Sequence, residues 1–474
     1  MNGDIRPALE RPVTISLPED VQIGPKLIEY CTTKYVPELR RYRRLISYYM
    51  TENAIAKRQM DDPTKPNNKI AHAFARYISR IATAYFMGTG VKIECDDEPY
   101  LKALRNIYSS NMAEVKFYEE AKGMSQVGRS YELLYINSDG ELKTAAIEAE
   151  NMIPIYGQST GSYLTAAIRR YTTVELIGTR PRNTEHADVY TATEVFTFER
   201  RQGRGSKWKF VDQWKHTFSD VPVIVRWNNT EQKGDYEDVI TLIDAYDRAQ
   251  SDTMNDLDYF TDAYLAISGA EDIVTDEDEE TDEPADAAKS IRTMKQERLL
   301  LFPEGGDAKF VVKNIDDTST ENFKNRTYQD IFFTAMVPNL TDESFAGNLS
   351  GIAMKYKLFG IEELAAEKEK YFTSSEKKKI RLITEYINAR YGTAYDWRTV
   401  ELSFDRSNIA NLLEISQIIN NLRGLLSDKT LIGMWPEIDN ALKEWEHRLW
   451  EKAQEENDDL PPGLEEILIN GSGQ

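Results

Sequence analysis

The 474 residues of this chain predict about three domain-sized units rather than one small core. Apolar residues form 41% of the sequence and charged residues 29%, a balance that excludes a globally disordered chain. The 58 basic and 79 acidic side chains give a formal net charge of −21, which excludes a protein that binds nucleic acid over its whole surface.

Cysteine and histidine are too sparse for a disulfide framework or a zinc site. Cys31 and Cys95 are the two cysteines, and the four histidines stand far apart in the sequence. We therefore expect a reducing compartment, no metal and no cofactor. No apolar run approaches the roughly 20 residues of a membrane-spanning helix, so no membrane partner is expected. Residues 1–30 are polar at their start and predict a flexible arm without a secretory signal.

The first half of the chain predicts helices followed by an antiparallel sheet. Apolar residues from Ile70 to Tyr85 recur at steps of three and four, which is typical of one buried helix face. Residues 130–227 change to period-two patterns with β-branched and aromatic runs, and Asp139 with Gly140 indicates a hairpin turn. The acidic side chains of this region are scattered, so no catalytic carboxylate pair is expected.

A basic cluster precedes this region. Arg40, Arg41, Arg43 and Arg44 surround Tyr42, a pattern compatible with a nucleic-acid patch or with a solvated helix face. We favour the solvated face, because basic and aromatic residues often mix on exposed helices.

A long helix with two unlike faces is predicted from residue 235 onward. Apolar positions from Val239 to Tyr264 repeat at steps of three and four and form one face. An ordinary solvated surface is one interpretation of the opposite face. That opposite face carries Asp244, Asp247, Ser251, Asn255, Asp258 and Asp262.

An acidic insert follows this helix. Residues 271–287 contain no Lys or Arg and predict a solvated loop, since like charges repel one another. Calcium binding is the alternative, but the spacing lacks the pattern of an EF-hand loop. A second helix begins with the capping pair Thr318 and Glu321 and ends before Pro338.

Residues 338–351 are rich in Asn, Ser and Gly and predict a loop. A helix of roughly 40 residues, about 60 Å long, follows from residue 352. Two or three further helices come after Ser407, and a polar, proline-containing tail ends the chain.

This order of elements resembles the portal proteins of tailed bacteriophages, in particular the SPP1-like family. The resemblance extends from about residue 30 to residue 450. Its motifs are two helices around an acidic insert, an Asn-, Ser- and Gly-rich loop, and a very long helix. Four stretches carry it: 67–93, 221–269, 337–362 and 412–439.

The resemblance implies an α+β portal fold that is assembled as a ring, with a helical stem, a wing and a clip that contain β-strands, and an α-helical crown. The expected divisions are an arm (1–30), a wing (31–230), a first stem helix (231–268), a clip (269–317), a second stem helix (318–337), a tunnel loop (338–351), a long kinked helix returning to the wing (352–405), a crown (406–455) and a flexible tail (456–474).

The resemblance also implies function and partners. Portal proteins of this family form a dodecameric, non-enzymatic channel at one capsid vertex, through which double-stranded DNA is packaged and later ejected. The implied partners are further copies of the chain, the terminase large subunit, the major capsid and scaffolding proteins, and head-completion or adaptor proteins. The implied location is the virion, reached from the host cytoplasm during assembly. A metal-dependent nuclease and a generic acidic scaffold stay open as alternatives.

Acidic side chains on a channel wall keep a sliding polyanion from sticking, because every Lys or Arg contact with a phosphate adds affinity. We therefore expect the acidic face of the first stem helix to border the lumen, while its apolar face packs outward or against neighbouring subunits. The residues expected at the lumen are Asp244, Asp247, Asp258 and Asp262.

Two further sets of site residues follow from the resemblance. The tunnel loop is expected to touch DNA loosely, and basic residues of the clip are expected to dock the packaging motor. The tunnel-loop set is Asn339, Asp342, Glu343, Ser344, Phe345 and Asn348, and the clip set is Lys289, Arg292, Lys295 and Arg298.

Overall fold

The computed structural model describes most of the chain. Described are residues 11–260, 264–268, 299–302, 308–311, 317–340, 351–404, 406, 412–435, 438 and 441–456, except positions 64, 162, 178–179, 202 and 204. The chain divides into two compact units, of which the first comprises Met1–Asn339 and Gly360–Arg406 and the second comprises Leu340–Phe359 and Ser407–Gln474. Helix and sheet are both abundant, as the predicted α+β class requires.

Helices dominate the first unit from Pro25 onward. The flexible arm predicted for residues 1–30 is wrong for Ile15–Leu17, which pair with a strand of the large sheet, and for Leu27 and Ile28, which are buried in a helix. The helix ends follow local signals: the Asp97 side chain accepts from the Tyr100 N–H at 3.0 Å and caps one helix start. After a short strand β1 (Ile15–Leu17), the elements are α1 (Pro25–Lys34), α2 (Val36–Tyr49), a 3₁₀ turn (Ala54–Lys57), α3 (Phe74–Met87), β2 (Val91–Glu94), α4 (Glu98–Ser110) and α5 (Ala113–Val127).

Gly128 ends α5 with a φ of 86°, in the left-handed region that favours glycine. A Cβ atom at this position would collide with the Gln232 carbonyl, so a glycine is required where the two segments cross.

The antiparallel region predicted between 130 and 227 forms two sheets. The larger has six strands in the order β1-β5-β6-β7-β8-β9, with β1 parallel to β5 and the remaining pairs antiparallel. The smaller has the order β10-β3-β4, and β14 (Glu401–Phe404) pairs with β2 elsewhere. The strands are β3 (Arg129–Ile136), β4 (Leu142–Ile147), β5 (Met152–Gly157), β6 (Leu164–Ile177), β7 (Arg180–Tyr190), β8 (Glu194–Arg201), β9 (Lys209–Lys215) and β10 (Val223–Trp227).

The main hydrophobic core lies between the N-terminal helices and the large sheet. Ile28, Tyr42 and Ile78 from the helices are fully buried together with Ile153 and Ile168 from the sheet. A second, smaller cluster joins the large and small sheets and contains Tyr131, Met152, Ala167, Val195 and Val223.

The predicted first stem helix is shorter than its assigned range of 231–268. A 3₁₀ turn (Glu237–Val239) leads into α6 (Ile240–Phe260), and strand β11 (Tyr264–Ser268) follows. β11 pairs in parallel with β12 (Leu299–Phe302) and antiparallel with β13 (Ala308–Val311). The periodicity that suggested helix to residue 268 was wrong there, because strand pairing overrides local helix pattern. The acidic loop 271–287 lies outside the described residues.

The second stem helix and the long helix are present where the sequence predicts them. α7 spans Asp317–Ala335 and α8 spans Gly351–Tyr391. In the second unit, residues after 407 contribute three described helices, in line with the two or three expected: α9 (Leu412–Leu422), α10 (Asp428–Gly433) and α11 (Ala441–Glu456).

Candidate channel helices and their buried charges

Helices α6 and α7 are the predicted stem pair, and they pack against each other. The polar face of α6 is turned into the molecule rather than toward solvent. Asp247 and Ser251 are fully buried, and Asp244 and Asn255 retain only 9% of their accessible surface. This inward-facing set is called the polar ladder here and consists of Asp244, Asp247, Ser251, Asn255 and Asp258.

The polar ladder binds residues 53–72, which run along α6 between α2 and α3. The Asp247 carboxylate accepts from the Asn53 amide at 2.6 Å and from the His72 backbone N–H at 3.0 Å, and it contacts His72 Nδ1 at 2.8 Å. Asp244 accepts from the Tyr48 hydroxyl at 2.6 Å. These bonds tie the first turns of α6 to the N-terminal helices.

The ladder continues toward the C-terminal end of α6. Ser251 Oγ accepts from the Ile70 N–H at 2.9 Å, and Asn255 Oδ1 accepts from the Asn68 N–H at 2.7 Å. Asp258 accepts from the Asn68 side-chain amide at 2.5 Å. Because residues 67–73 are not helical, their N–H groups need external acceptors, and α6 supplies them at helical spacing. This explains why α3 begins at Phe74, although the apolar periodicity predicts helix from Ile70.

The burial of Asp244 and Asp247 within a single chain weighs against their predicted place at a lumen, which stays a prediction. Asp247 has no exposed surface and Asp244 retains 9%, and both carboxylates already accept hydrogen bonds from donors of their own chain. Asp258 is half-buried, so its place at the lumen stays a prediction. Asp262 lies outside the described residues.

Apolar side chains, by contrast, are exposed on the α6–α7 pair. Leu257, expected on a packing face of α6, is 52% exposed, and Met254 lies nearby on the same helix. On α7, Phe323 is 52% exposed and Phe333 is 85% exposed. Large apolar side chains left in solvent commonly indicate a surface for another chain.

The basic cluster of α2 includes a fully buried arginine, so the predicted solvated face is wrong for Arg41. Its guanidinium binds Glu237 through Nε at 2.7 Å and Nη2 at 2.6 Å, and Nη1 binds Glu38 at 2.7 Å. The Gln232 carbonyl accepts a further bond at 2.9 Å. This Arg41 network joins α2 to the segment that starts α6. Its partners lie up to 196 positions away, so no local signal predicted it.

A second buried network anchors α8 to the sheets. Arg226 on β10 contacts Glu120 at 3.1 Å, Glu132 at 3.0 Å, and Glu376 on α8. Lys379, one turn along α8, binds Glu132 at 2.9 Å. All five side chains are buried. This Arg226 network therefore places three carboxylates against two cations.

Burial and charge act on these carboxylates in opposite directions. Burial raises the pKa of Glu120 well above its ordinary value of 4.5, although the charge of Arg226 counteracts it. Burial also raises the pKa of Glu132, but the charges of Lys379 and Arg226 outweigh that effect and lower it to about 2. Glu120 thus keeps a proton under conditions in which Glu132 is ionised.

The predicted tunnel loop begins at a tightly fixed junction. Met336, just after α7, has a φ of 54°, and its carbonyl lies 3.0 Å from where a Cβ of Gly360 would stand. The end of α7 and the body of α8 therefore meet closely only because residue 360 is glycine. Asn339 is half-buried and its Oδ1 accepts from the Tyr328 hydroxyl at 3.3 Å.

The remaining predicted site residues fall outside the described part of the chain. They are Asp342, Glu343, Ser344, Phe345 and Asn348 of the tunnel loop, and Lys289, Arg292, Lys295 and Arg298 of the insert.

Two properties of the described residues bear on other functions. No group of three or more His, Cys, Asp or Glu side chains within those residues is arranged to hold a metal ion. None of the helices described combines the length and the apolarity needed to cross a bilayer.

Comparison with known proteins gives one family over most of the chain. The family model described as phage portal protein, SPP1 Gp6-like, matches residues 28–459. The chain is 22% identical over 431 residues to the portal protein of Bacillus phage SPP1, which covers 84% of this chain and 81% of that protein. It is 24% identical over 433 residues to the portal protein of Clostridium phage phiCD119, which covers 83% of this chain and 89% of that protein.

Solved structures with a partial likeness come from gene transfer agent particles. A chain from the neck of the native particle, computed with C12 symmetry, is 13% identical, with a TM-score of 0.43 and coverage of 84% of this chain and 93% of that chain. A chain from the virion of the native particle is also 13% identical, with a TM-score of 0.42 and coverage of 82% and 91%.

Proposed function

The chain belongs to the SPP1 Gp6-like family of phage portal proteins, and from this premise we propose that copies of it close into a ring through which double-stranded DNA enters and leaves the phage head. The observation that carries the proposal is the family match over residues 28–459, which takes in nearly every described helix and strand. The predicted resemblance and the α+β portal fold are thereby confirmed. The role of this family is structural rather than catalytic.

The divisions expected from the sequence become proposals about parts of the ring. Residues 31–230 together with 352–405 form the wing, α6 and α7 form the stem, and the three strands β11–β13 belong to the clip. The helices after 407 form the crown. The close approach of Met336 to Gly360 supports this division, because it brings the end of α7 against α8.

The stem is proposed to contact neighbouring copies through its exposed apolar side chains. Leu257 and Phe323 are each half exposed in the single chain, and burying such side chains is the main driving force of association. The polar ladder stays inside each copy and keeps α6 in position. Asp258 and Asp262 are the remaining carboxylates proposed to border the lumen.

Partners are proposed from the family. The tunnel loop from Asn339 to Asn348 would touch DNA during packaging. The four basic residues from Lys289 to Arg298 would dock the terminase large subunit. Capsid, scaffolding and head-completion proteins would bind the outer surfaces. The proposed ring is a dodecamer in the virion, assembled in the host cytoplasm.

Two measurements on the purified full-length protein test the ring. Native mass spectrometry should give a closed multiple of the chain mass, and electron microscopy should show a central hole. Isolated chains under every assembly condition, or a solid particle, would contradict the proposal. A solid particle would favour the generic acidic scaffold.

A packaging assay tests passage of DNA. Procapsids that contain the wild-type protein should protect DNA from added nuclease when terminase and ATP are supplied, because the channel admits the duplex. Deleting residues 342–348 should reduce the protected DNA while leaving the ring mass unchanged. Loss of the ring itself would assign the loop a structural role. Magnesium-dependent cleavage of DNA by the ring alone would instead support the nuclease alternative.

A further inference from the structure

Strand β9 is the last strand of the six-stranded sheet, and all seven of its residues are exposed. Three of them are large and apolar: Phe210 is 54% exposed, Val211 is 50% exposed and Trp214 is 47% exposed. Sheet edges that leave apolar side chains in solvent invite another strand, and natural proteins usually avoid them. The exposed edge of β9 therefore indicates a surface that another strand can cover.

The backbone of β9 offers donors on its outer side. The N–H of His216, directly after the strand, donates to the Thr193 carbonyl beside β8 at 3.2 Å. Backbone groups alternate in direction along a strand, so the N–H groups of Lys215 and Gln213 face away from β8. The Asp212 side chain accepts from the Gln213 N–H at 2.8 Å. An incoming carbonyl can replace that local carboxylate.

Positive charge surrounds this edge in an otherwise acidic chain. Residues 194–215 contain six basic and three acidic side chains, whereas the whole chain carries −21. Lys207, Lys209 and Lys215 are exposed, and none of them forms an ion pair with another described residue. Two of these lysines stand at the two ends of β9, where they would meet carboxylates of an extended partner.

An apolar cleft of about 560 Å³ lies beside β9, between the six-stranded sheet and the β10-β3-β4 sheet. Leu133, Tyr190 and Val195 line it, and Trp214 of β9 and Phe218 form another part of its wall. A strand added to β9 would direct every second side chain to the Trp214 face. The cleft offers apolar surface to one such side chain.

We propose that β9 docks an extended, acidic segment of another protein by strand addition. The backbone of that segment pairs with Gln213 and Lys215, its carboxylates meet Lys209 and Lys215, and an apolar side chain enters the cleft beside Trp214. A protein segment uses all of these features, whereas DNA would use only the lysines. The inference concerns an outer sheet edge and does not depend on DNA passing through the ring.

Peptide binding to the full-length assembled protein tests the inference. The probe is a short, fluorescently labelled peptide that alternates valine and glutamate, followed by anisotropy at low salt. We expect saturable binding that weakens about tenfold or more in the double variant Lys209→Glu and Lys215→Glu. Lys57→Glu with Lys102→Glu is the matched control, because it makes the same charge change on exposed helix lysines and should leave binding unchanged.

A proline substitution tests the backbone pairing of β9 separately. Gln213→Pro should abolish binding, since it removes an outward N–H without touching those directed at β8. Thermal unfolding shows whether that variant still folds. If the Gln213→Pro variant does not fold, the backbone pairing is tested on the wild-type protein with a peptide that carries proline in place of its central valine. This peptide should not bind.

Several outcomes would overturn the proposal. These are no saturable binding of the acidic peptide, equal binding of a matched valine–lysine peptide, and displacement of the peptide by a short DNA duplex at equal concentration. A changed particle mass in the Lys209→Glu, Lys215→Glu double variant would make β9 an interface between copies of this chain.

Discussion

Two buried ionic networks hold the first unit together, and they satisfy their charges differently. Arg41 meets Glu237 with two parallel bonds, Glu38 with a third and the Gln232 carbonyl with a fourth. Around Arg226, three carboxylates share two cations, and both oxygens of Glu120 lack a hydrogen bond within the described residues. The first network pairs donors with acceptors, while the second holds an excess of carboxylate that only a proton neutralises.

This difference decides which of the buried charges depend on pH. A guanidinium with a fork-shaped carboxylate partner and backbone acceptors stays ionised whatever the pH. A carboxylate buried without donors avoids the cost of ionisation by keeping its proton. The Arg41 network should therefore respond to pH less than the junction of α8 with the sheets.

The largest expected effect comes from removing Arg226. Arg226→Met leaves Lys379 as the remaining cation beside the three buried carboxylates of the Arg226 network. We expect a loss of about 4–5 kcal/mol in the free energy of unfolding. Arg41→Met should cost less, about 3 kcal/mol, because Glu237 keeps the Gly234 N–H as a donor at 3.0 Å. Urea unfolding measures both. The control Arg381→Met breaks a partly exposed pair with Asp220 and should cost below about 1 kcal/mol.

Glutamine substitutions separate the two carboxylates of the Arg226 network. Glu132→Gln removes an ionised partner of Lys379 and Arg226 and should cost about 3 kcal/mol. Glu120→Gln resembles the protonated acid already present and should cost below about 1 kcal/mol near neutral pH. Equal losses in the two variants, measured by urea unfolding, would mean that Glu120 is ionised as well.

The polar ladder should give an intermediate effect. Asp247→Ala leaves the Asn53 amide and the His72 N–H without their acceptor, and we expect a loss of about 2 kcal/mol. The exposed neighbour Arg248 offers a control, since Arg248→Ala should change stability by no more than about 0.5 kcal/mol. If Asp247→Ala were neutral in stability yet altered DNA packaging, the carboxylate would belong to the channel after all.

The last effect is gradual, because it is a change of stability with pH rather than a fixed loss. Since the pKa of Glu120 is raised above 4.5, its stabilising contribution is complete below that pH and is lost as the pH rises toward the raised value. Glu132 has the opposite sign: its contribution is complete above 4.5 and is lost as the pH falls toward about 2. Between roughly pH 5 and 8, stability should fall by at most about 1.4 kcal/mol per pH unit, the limit for one proton.

Glu120→Gln should remove that slope, because glutamine has no proton to release. Glu119→Gln, which changes an exposed neighbour, should keep it. Unfolding in urea at a series of pH values compares the three proteins. A wild-type protein with constant stability over this range would contradict the raised pKa of Glu120.

Much of the fold could be predicted because helix and strand patterns are local. The change to period two after residue 130 and the long helix near residue 352 follow from local patterns, whereas α7 begins at Asp317, before the cap predicted at Thr318. The switch from α6 to β11 was not predicted, because the strand character of residues 264–268 depends on pairing with β12 and β13. The start of α3 depends in the same way on acceptors carried by α6.

The kinds of element, their order along the chain and, through that order, the portal family can all be inferred from the sequence. The inward direction of the polar face of α6 and the burial of Arg41 depend instead on contacts made in the folded chain. The physical reason is distance along the chain: Asn53 and His72 meet Asp247 across 194 and 175 positions, and Arg41 meets Glu237 across 196. A periodic pattern separates two faces of a helix, but the donors that a fold brings to one of them decide which face is buried.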